Sequence, residues 1–416
     1  MNNFKGRVQT EGTKGYLAIG IPGACGITAP CWFRLTIAEY PPCFLYARKE
    51  VGKYSRTSLP VWNFAGLKPG DIVDAQVEPA EPYRAKGLRA GCFDWNDFIG
   101  GDERTFATEE PNGVLKLWSR YSAPFEILRC PPVEPLYRML GFYQAEGSKS
   151  ATGADFSFAN SNVEATRNAI ENLNAIGVGY NQLYAEILQG ISESRESAMA
   201  KYASLPLRVA AVRPRSGKGG SAYVVHAHNS SPFRGMVNRV LTHVFTTEFP
   251  NKEAACAYAL GWLDGDGNIT RTSGHVEMRL AGLADEHVVV CEALNKAFSW
   301  TLEKEKYRGS KQGTHIVLRA SEMLDLIEAR AFKFSMNYVR LLLSFDSQTA
   351  ALRDPERAGP FVRWGLREKG GGLTKLGERI CAGYRRHRVD IERARRLETT
   401  SPELFGVKGA PNPLLR

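Results

Sequence analysis

The sequence predicts an α+β chain: two related halves of helices and antiparallel strands, preceded by a β-rich segment. Three observations carry that expectation. Leu136-Tyr-Arg-Met-Leu-Gly-Phe-Tyr-Gln-Ala-Glu146-Gly147 is matched by Ala257-Tyr-Ala-Leu-Gly-Trp-Leu-Asp-Gly-Asp266-Gly267, with Gly141 on Gly261 and Glu146 on Asp266 at a constant offset of 120 residues. Each copy is followed by a similar alternation of strand-like and helix-like patterns. Repetition at a fixed offset sets the architecture, so it is read first. The opening 128 residues, by contrast, carry short apolar runs punctuated by Gly and Pro.

In order, residues 1–128 form the β-rich domain, with strands expected at 7–10, 16–21 and 31–37. Gly66-Leu-Lys-Pro-Gly-Asp71 is a turn, and 72–77 alternates behind it. The phrase resembles the turn of small swapped-hairpin DNA-binding barrels, so accessory DNA binding stands beside a scaffolding role. A Pro cluster at 129–135 closes this domain. The first half then spans 129–250. Its motif helix is followed by a polar turn at 148–153, a strand at 154–160 and a helix at 162–173 with Asn162 as N-cap. A strand at 182–188, a helix at 191–202 and a basic stretch at 208–216 complete it. The second half, 251–345, repeats the order: turn, strand 275–283, helix 285–298, strands at 300–307 and 314–319, helix 322–329. Residues 346–416 form a basic helical extension. Arg385-Arg-His-Arg388 and Arg393-Ala-Arg-Arg396 sit on its helix, and a Pro-containing tail from 401 is expected to be poorly ordered.

The repeated stretch has a physical logic. Gly141 and Ala145, like Gly261 and Gly265, are four residues apart, so each pair leaves one helical face without bulk. Two such faces bring backbones close together, as small-residue crossings do elsewhere. An acid follows in each copy, then a Gly suited to ending a helix in a left-handed conformation. Side by side, the helices deliver Glu146 and Asp266 to one place. Carboxylates held close repel unless a cation sits between them, which predicts a Mg²⁺ (or Mn²⁺) site.

This double motif resembles that of the LAGLIDADG homing endonucleases in their single-chain, two-motif form, over roughly residues 130–345. Gly370-Gly-Gly-Leu-Thr-Lys-Leu-Gly-Glu-Arg-Ile380 resembles a stretch that often closes members of that family. The resemblance implies two pseudo-symmetric αββαββα-like halves, each presenting a saddle-shaped antiparallel sheet to the major groove of double-stranded DNA. It implies a site-specific, metal-dependent double-strand break with short 3′ overhangs at a long asymmetric target, serving intron or mobile-element homing. Glu146 and Asp266 would hold the cations, with Ala145 and Gly265 beside them in the ligand set, and Lys149 would assist as a nearby cation. No Lys follows Asp266 at that spacing; Asn268-Ile-Thr-Arg271 stands there, with Arg279 on the next strand. Candidate DNA contacts are Arg213, Arg215, Lys218, Arg271, Arg279, Lys311, Arg385 and Arg386. The alternative on the same fold is a non-cleaving DNA-binding regulator or an RNA maturase. Such proteins typically lose the acids, and both acids are present here.

Composition agrees with this picture without making it. Net charge is +10, an excess suited to a polyanionic partner. The eight cysteines show no CxxC spacing and all seven His lie at or beyond 226, which disfavours a structural zinc site. Free thiols, no apolar signal core and no membrane-length run point to a soluble, intracellular monomer with no membrane partner. Asp264-Gly-Asp-Gly-Asn-Ile-Thr270 looks like the middle of an EF-hand loop, but Trp262 and Ser273 stand where that loop needs oxygen ligands. His228-Asn229-Ser230 spells a splice junction but lies between the two motifs, where none belongs.

Overall fold

The computed structural model describes residues 2–11, 16–29, 31–37, 39–47, 49–59, 63–79, 93–99, 105–110, 112–119, 123–148, 155–216, 219–246, 249–272, 275–302, 314–406 and 412–415. The N-terminal strands are β1 (Asn2–Glu11), β2 (Tyr16–Pro22), β3 (Cys31–Ile37), β4 (Cys43–Ala47), β5 (Lys49–Val51), β6 (Tyr54–Ser58), β7 (Ile72–Pro79), β8 (Thr105–Glu109), β9 (Val114–Ser119) and β10 (Phe125–Leu128). They join in one sheet in the order β10-β9-β8-β4-β3-β7-β1-β2-β6-β5, with antiparallel neighbours. The turn before β7 is closed by the Lys68 amide donating to Asp71 Oδ2 at 2.7 Å. Val73, Ala75 and Val77 then alternate inward, as the pattern requires. Two buried clusters divide this region. Val8 to Val77 pack among themselves with Trp118, whereas Phe93, Trp95, Leu117, Phe125 and Ile127 are buried with the helices that follow. Phe125 stacks 5.0 Å from Phe233, so the far end of the sheet and the helical part share one core.

The first helical part comprises α1 (Val133–Glu146), β11 (Ser157–Asn160), α2 (Val163–Ala175), β12 (Leu183–Gln189), α3 (Arg195–Lys201), β13 (Val209–Pro214), β14 (Ala222–Ala227) and α4 (Ser231–Thr246). Asn162 caps α2 as expected, accepting from the Glu164 and Ala165 amides. The sheet order is β11-β14-β12-β13. The β12–β13 pair is parallel, because the α3 crossover returns the chain in the same direction. The second part comprises α5 (Lys252–Asp266), β15 (Asn268–Thr272), β16 (His275–Leu280), α6 (Ala284–Phe298), β17 (Thr314–Val317), α7 (Ala320–Glu328) and α8 (Met336–Arg353), with sheet order β15-β16-β17. The strand expected around 300–307 falls largely outside the described residues. Helices with mostly antiparallel sheets make the chain α+β.

The C-terminal region departs from expectation in two ways. The basic stretch forms two helices, α10 (Lys375–Arg386) and α11 (Arg388–Thr400), after the short α9 (Ala358–Arg363). Three of their arginines meet acids of the preceding helices: Arg379 meets Asp325, Arg386 meets Glu328, and Arg395 grips Asp346 with two bonds of 2.7 and 2.6 Å. The tail is not wholly loose either. Leu404, Phe405 and Leu414 pack on the large core, and the Asn412 amide donates to the Lys333 carbonyl at 3.0 Å. Among the described residues no helix is long and apolar enough to cross a membrane.

Candidate functional site

The two repeated helices, α1 and α5, lie against each other at the centre of the large core, and their glycines set the distance. A Cβ added at Gly141 would collide with the carbonyl oxygen of Tyr258; one added at Gly261 would collide with the carbonyl oxygen of Arg138. These two contacts are one contact in both directions, since 258 and 261 lie 120 residues beyond 138 and 141. One turn further on, a Cβ on Gly265 would sit 2.7 Å from Ala145 Cβ, 3.0 Å from Glu146 Cγ and 3.8 Å from Glu146 Oε1. Contacts that advance together along both helices mean that the helices run parallel. Their C-terminal residues, Glu146 and Asp266, therefore finish at the same end, both half-buried.

Gly147 and Gly267 follow for a different reason from the one expected. Both are extended, at φ −68° and −66°, rather than left-handed. What excludes a side chain is crowding: a Cβ at Gly147 would strike Tyr143, and one at Gly267 would strike Leu263 and the Phe332 ring. The glycines let the chain turn from the helix directly into the sheet, where Gly147 bridges Phe158 and β15 begins at Asn268.

The residues two before each acid brace the helix pair. Asp264, buried, accepts from Arg138 Nη2 at 2.9 Å across the two helices. Burial pushes its carboxyl above the usual range, and the neighbouring guanidinium opposes that shift. Gln144, also buried, donates at 2.6 Å to Glu286 Oε1, whose other oxygen accepts the Leu283 amide at the start of α6. The Gln144/Asp264 difference between the copies thus serves two separate structural bonds.

The two acids and the helix ends that carry them have charge of the same sign. A helix C-terminus carries partial negative charge, which favours cations and disfavours carboxylates. Here each helix ends on an acid, with no basic residue in either last turn, and the two ends lie together. One group that the sequence reading missed reaches this place: Asn160, at the end of β11, donates from Nδ2 to Glu146 Oε1 at 2.8 Å. Its Oδ1 accepts the Asn162 amide at 2.7 Å, which fixes which way the side-chain amide faces. The spacing of Asn160 and Asn162 around a helix cap was the available signal.

The other expected residues divide into three groups. Lys149, Lys218 and Lys311 lie outside the described residues. Arg213 and Arg279 stand exposed on sheet strands, each beside a glutamate: Arg213 Nη2 is 2.8 Å from Glu186 and Arg279 Nε is 4.0 Å from Glu277. A histidine lies against each of those acids as well, His226 at 3.8 Å and His315 at 3.6 Å. Tyr184 stacks between His226 and His228 at centroid distances of 4.9 and 4.2 Å. Arg215 donates to the Gly220 carbonyl at 2.7 Å, within the connection from β13 to β14. Arg271 shares the helix-covered face of β15 with buried Ile269, bonding Ser344 Oγ at 3.1 Å and Glu398 at 3.0 Å. Arg385 and Arg386 are exposed on α10, far along the chain from the motif helices, and Arg386 is engaged by Glu328.

Chemically, the arrangement offers two oxygen-donor carboxylates aimed from parallel helices into one polar end. That donor set suits hard divalent cations, which take oxygen ligands and neutralise the charge of the helix ends. Among the described residues no group of three or more His, Cys, Asp or Glu gathers as a metal site, here or elsewhere. No model of a known protein family matches the chain, and no curated protein is significantly similar to it.

Proposed function

We propose that this protein is a DNA endonuclease of the LAGLIDADG type that hydrolyses phosphodiester bonds with divalent cations held by Glu146 and Asp266. The observation that carries the reading is the reciprocal glycine contact between α1 and α5, which brings the two acids to one end. The order of elements supports it. Residues 157–160 of β11 correspond at the same offset to 277–280 of β16; β14 and β17 each pair antiparallel with them, and α2 and α6 follow each in turn. Two halves related by a pseudo-twofold axis through the helix pair is the arrangement this correspondence favours. Bound Mg²⁺ or Mn²⁺ would supply Lewis-acid activation of water and stabilisation of the leaving oxygen.

The chain's own groups do the rest. Glu146 and Asp266 hold charge in place, and the glycine stripe keeps them at short range. Asp264–Arg138 ties α1 to α5, and Gln144–Glu286 ties α1 to α6. The two sheet faces, with Arg213 and Arg279 exposed, engage DNA through phosphate and base-edge contacts. The test is cleavage of a randomised duplex library in Mg²⁺, with the new ends sequenced. Recovery of one recurrent sequence with short 3′ overhangs supports the endonuclease. Retention of selected duplexes without cutting favours the non-cleaving regulator instead.

A further inference from the structure

Glu146 has a partner whose position is not repeated in kind in the second half. Glu146 Oε1 accepts from Asn160, and Asn160 is itself oriented by the Asn162 amide. Asn162 continues the chain of bonds, because its Nδ2 donates to the Phe334 carbonyl in the segment between α7 and α8. That segment and the start of α8 reach the end of the other acid's helix: Phe332, at φ +60°, packs on Gly267, and Asn337 Nδ2, in the first turn of α8, donates to the Gly267 carbonyl at 2.9 Å. The position matching Asn160 in the second half is Leu280, buried in the core at 2% exposure and without a side-chain donor. Glutamate also has one more rotatable bond than aspartate, so the longer acid is the one in greater need of an external restraint.

We propose that Asn160 is the positioning residue for Glu146, fixing the rotamer in which that carboxylate receives a cation, and that the Asp266 side works without this residue. This rests on the cation-binding reading of the helix ends. A side-chain amide that donates to one carboxylate oxygen fixes the direction of the carboxylate and leaves its other oxygen to the cation. Second-shell partners of this kind commonly change metal affinity about 10–100-fold when removed. The bond also costs Glu146 little freedom that the cation would not cost it anyway. Of the two acids, Glu146 is therefore the one that removal of Asn160 acts on.

The test is a titration of the cation-free protein with Tb³⁺, a hard probe of oxygen-donor sites, with Mg²⁺ as competitor, read by calorimetry. Asn160→Ser and Asn160→Leu are placed separately in Asp266→Asn and Glu146→Gln backgrounds, and each protein's melting temperature is recorded. Ser is too short to reach Glu146 and small enough to fold if Leu does not. In the Asp266→Asn background, where Glu146 remains, loss of Asn160 is expected to weaken Tb³⁺ about tenfold, while the melting temperature falls by the same amount in both backgrounds because the Asn162 amide loses its acceptor. In the Glu146→Gln background, where Asp266 remains, the affinity is expected to stay the same. Equal weakening in both backgrounds, or none in the first, overturns the assignment. Absence of Mg²⁺-competed Tb³⁺ binding in the unsubstituted protein would instead remove the cation reading itself, and the proposal with it.

Discussion

Neutralising both acids should stabilise the cation-free protein and abolish its response to Mg²⁺. Glu146→Gln with Asp266→Asn keeps size and hydrogen-bonding capacity while removing two charges from two helix C-termini that end together. A carboxylate placed against the helix dipole costs about 0.3–1 kcal/mol, so two such ends give a gain of about 1 kcal/mol on neutralisation. Both side chains are half-buried, which limits screening by solvent. In Mg²⁺ at about a hundredfold over its Kd, the native protein should recover about 2.7 kcal/mol by mass action, reversing the order of stability. Denaturant titrations in chelator and in Mg²⁺ measure both quantities. The reasoning fails if the double variant is no more stable than the native chain in chelator, or if Mg²⁺ stabilises the two proteins equally.

Gly141→Ala and Gly261→Ala should each destabilise by about 2 kcal/mol through overpacking against backbone carbonyls. That holds although Ala favours a helix by about 1 kcal/mol. The two losses should match, since the contact is the same in both directions, and a stabilised variant in a denaturant titration would contradict the packing. On a selected DNA target, Arg213→Ala and Arg279→Ala should each reduce the slope of log affinity against log salt by about 0.9, one phosphate contact's worth. Arg271→Ala should leave that slope alone, because Arg271 is bonded to α8 and α11. His243, buried on α4 edge-on to Phe98, has its pKa lowered from 6.5 by burial. Its folded-state value lies below its unfolded one, so its contribution is present above pH 6.5 and is lost as pH falls through the folded value. His243→Gln should therefore flatten the loss of stability on acidification, measured by denaturant titration across that range.

The helix pair was readable because close approach imposes spacing: Gly141, Ala145, Gly261 and Gly265 must recur at fixed intervals for two backbones to touch. Asn162 and the alternation of β7 were readable for a similar local reason, since a cap and a half-buried strand need only their own neighbours. What could not be read depends on partners far along the chain. Arg379, Arg386 and Arg395 spell a basic surface, and only folding reveals that Asp325, Glu328 and Asp346 meet them. Arg271 looked like a sheet-face contact, but its parity with Ile269 turns it to the helices. Gly147 and Gly267 illustrate a subtler gap. The residue type was right for a helix end, but the cause is steric crowding by Tyr143 and Phe332 rather than backbone handedness. Asn160 was overlooked because its spacing to Asn162 signals a helix cap and not the carboxylate it faces.

The most direct measurement is cleavage of a library-selected duplex by the native protein and by Asp266→Asn, with binding measured in parallel. The account predicts Mg²⁺-dependent breakage of both strands by the native chain. For the variant it predicts loss of double-strand cutting with DNA affinity nearly intact. Normal double-strand cutting by Asp266→Asn would contradict it.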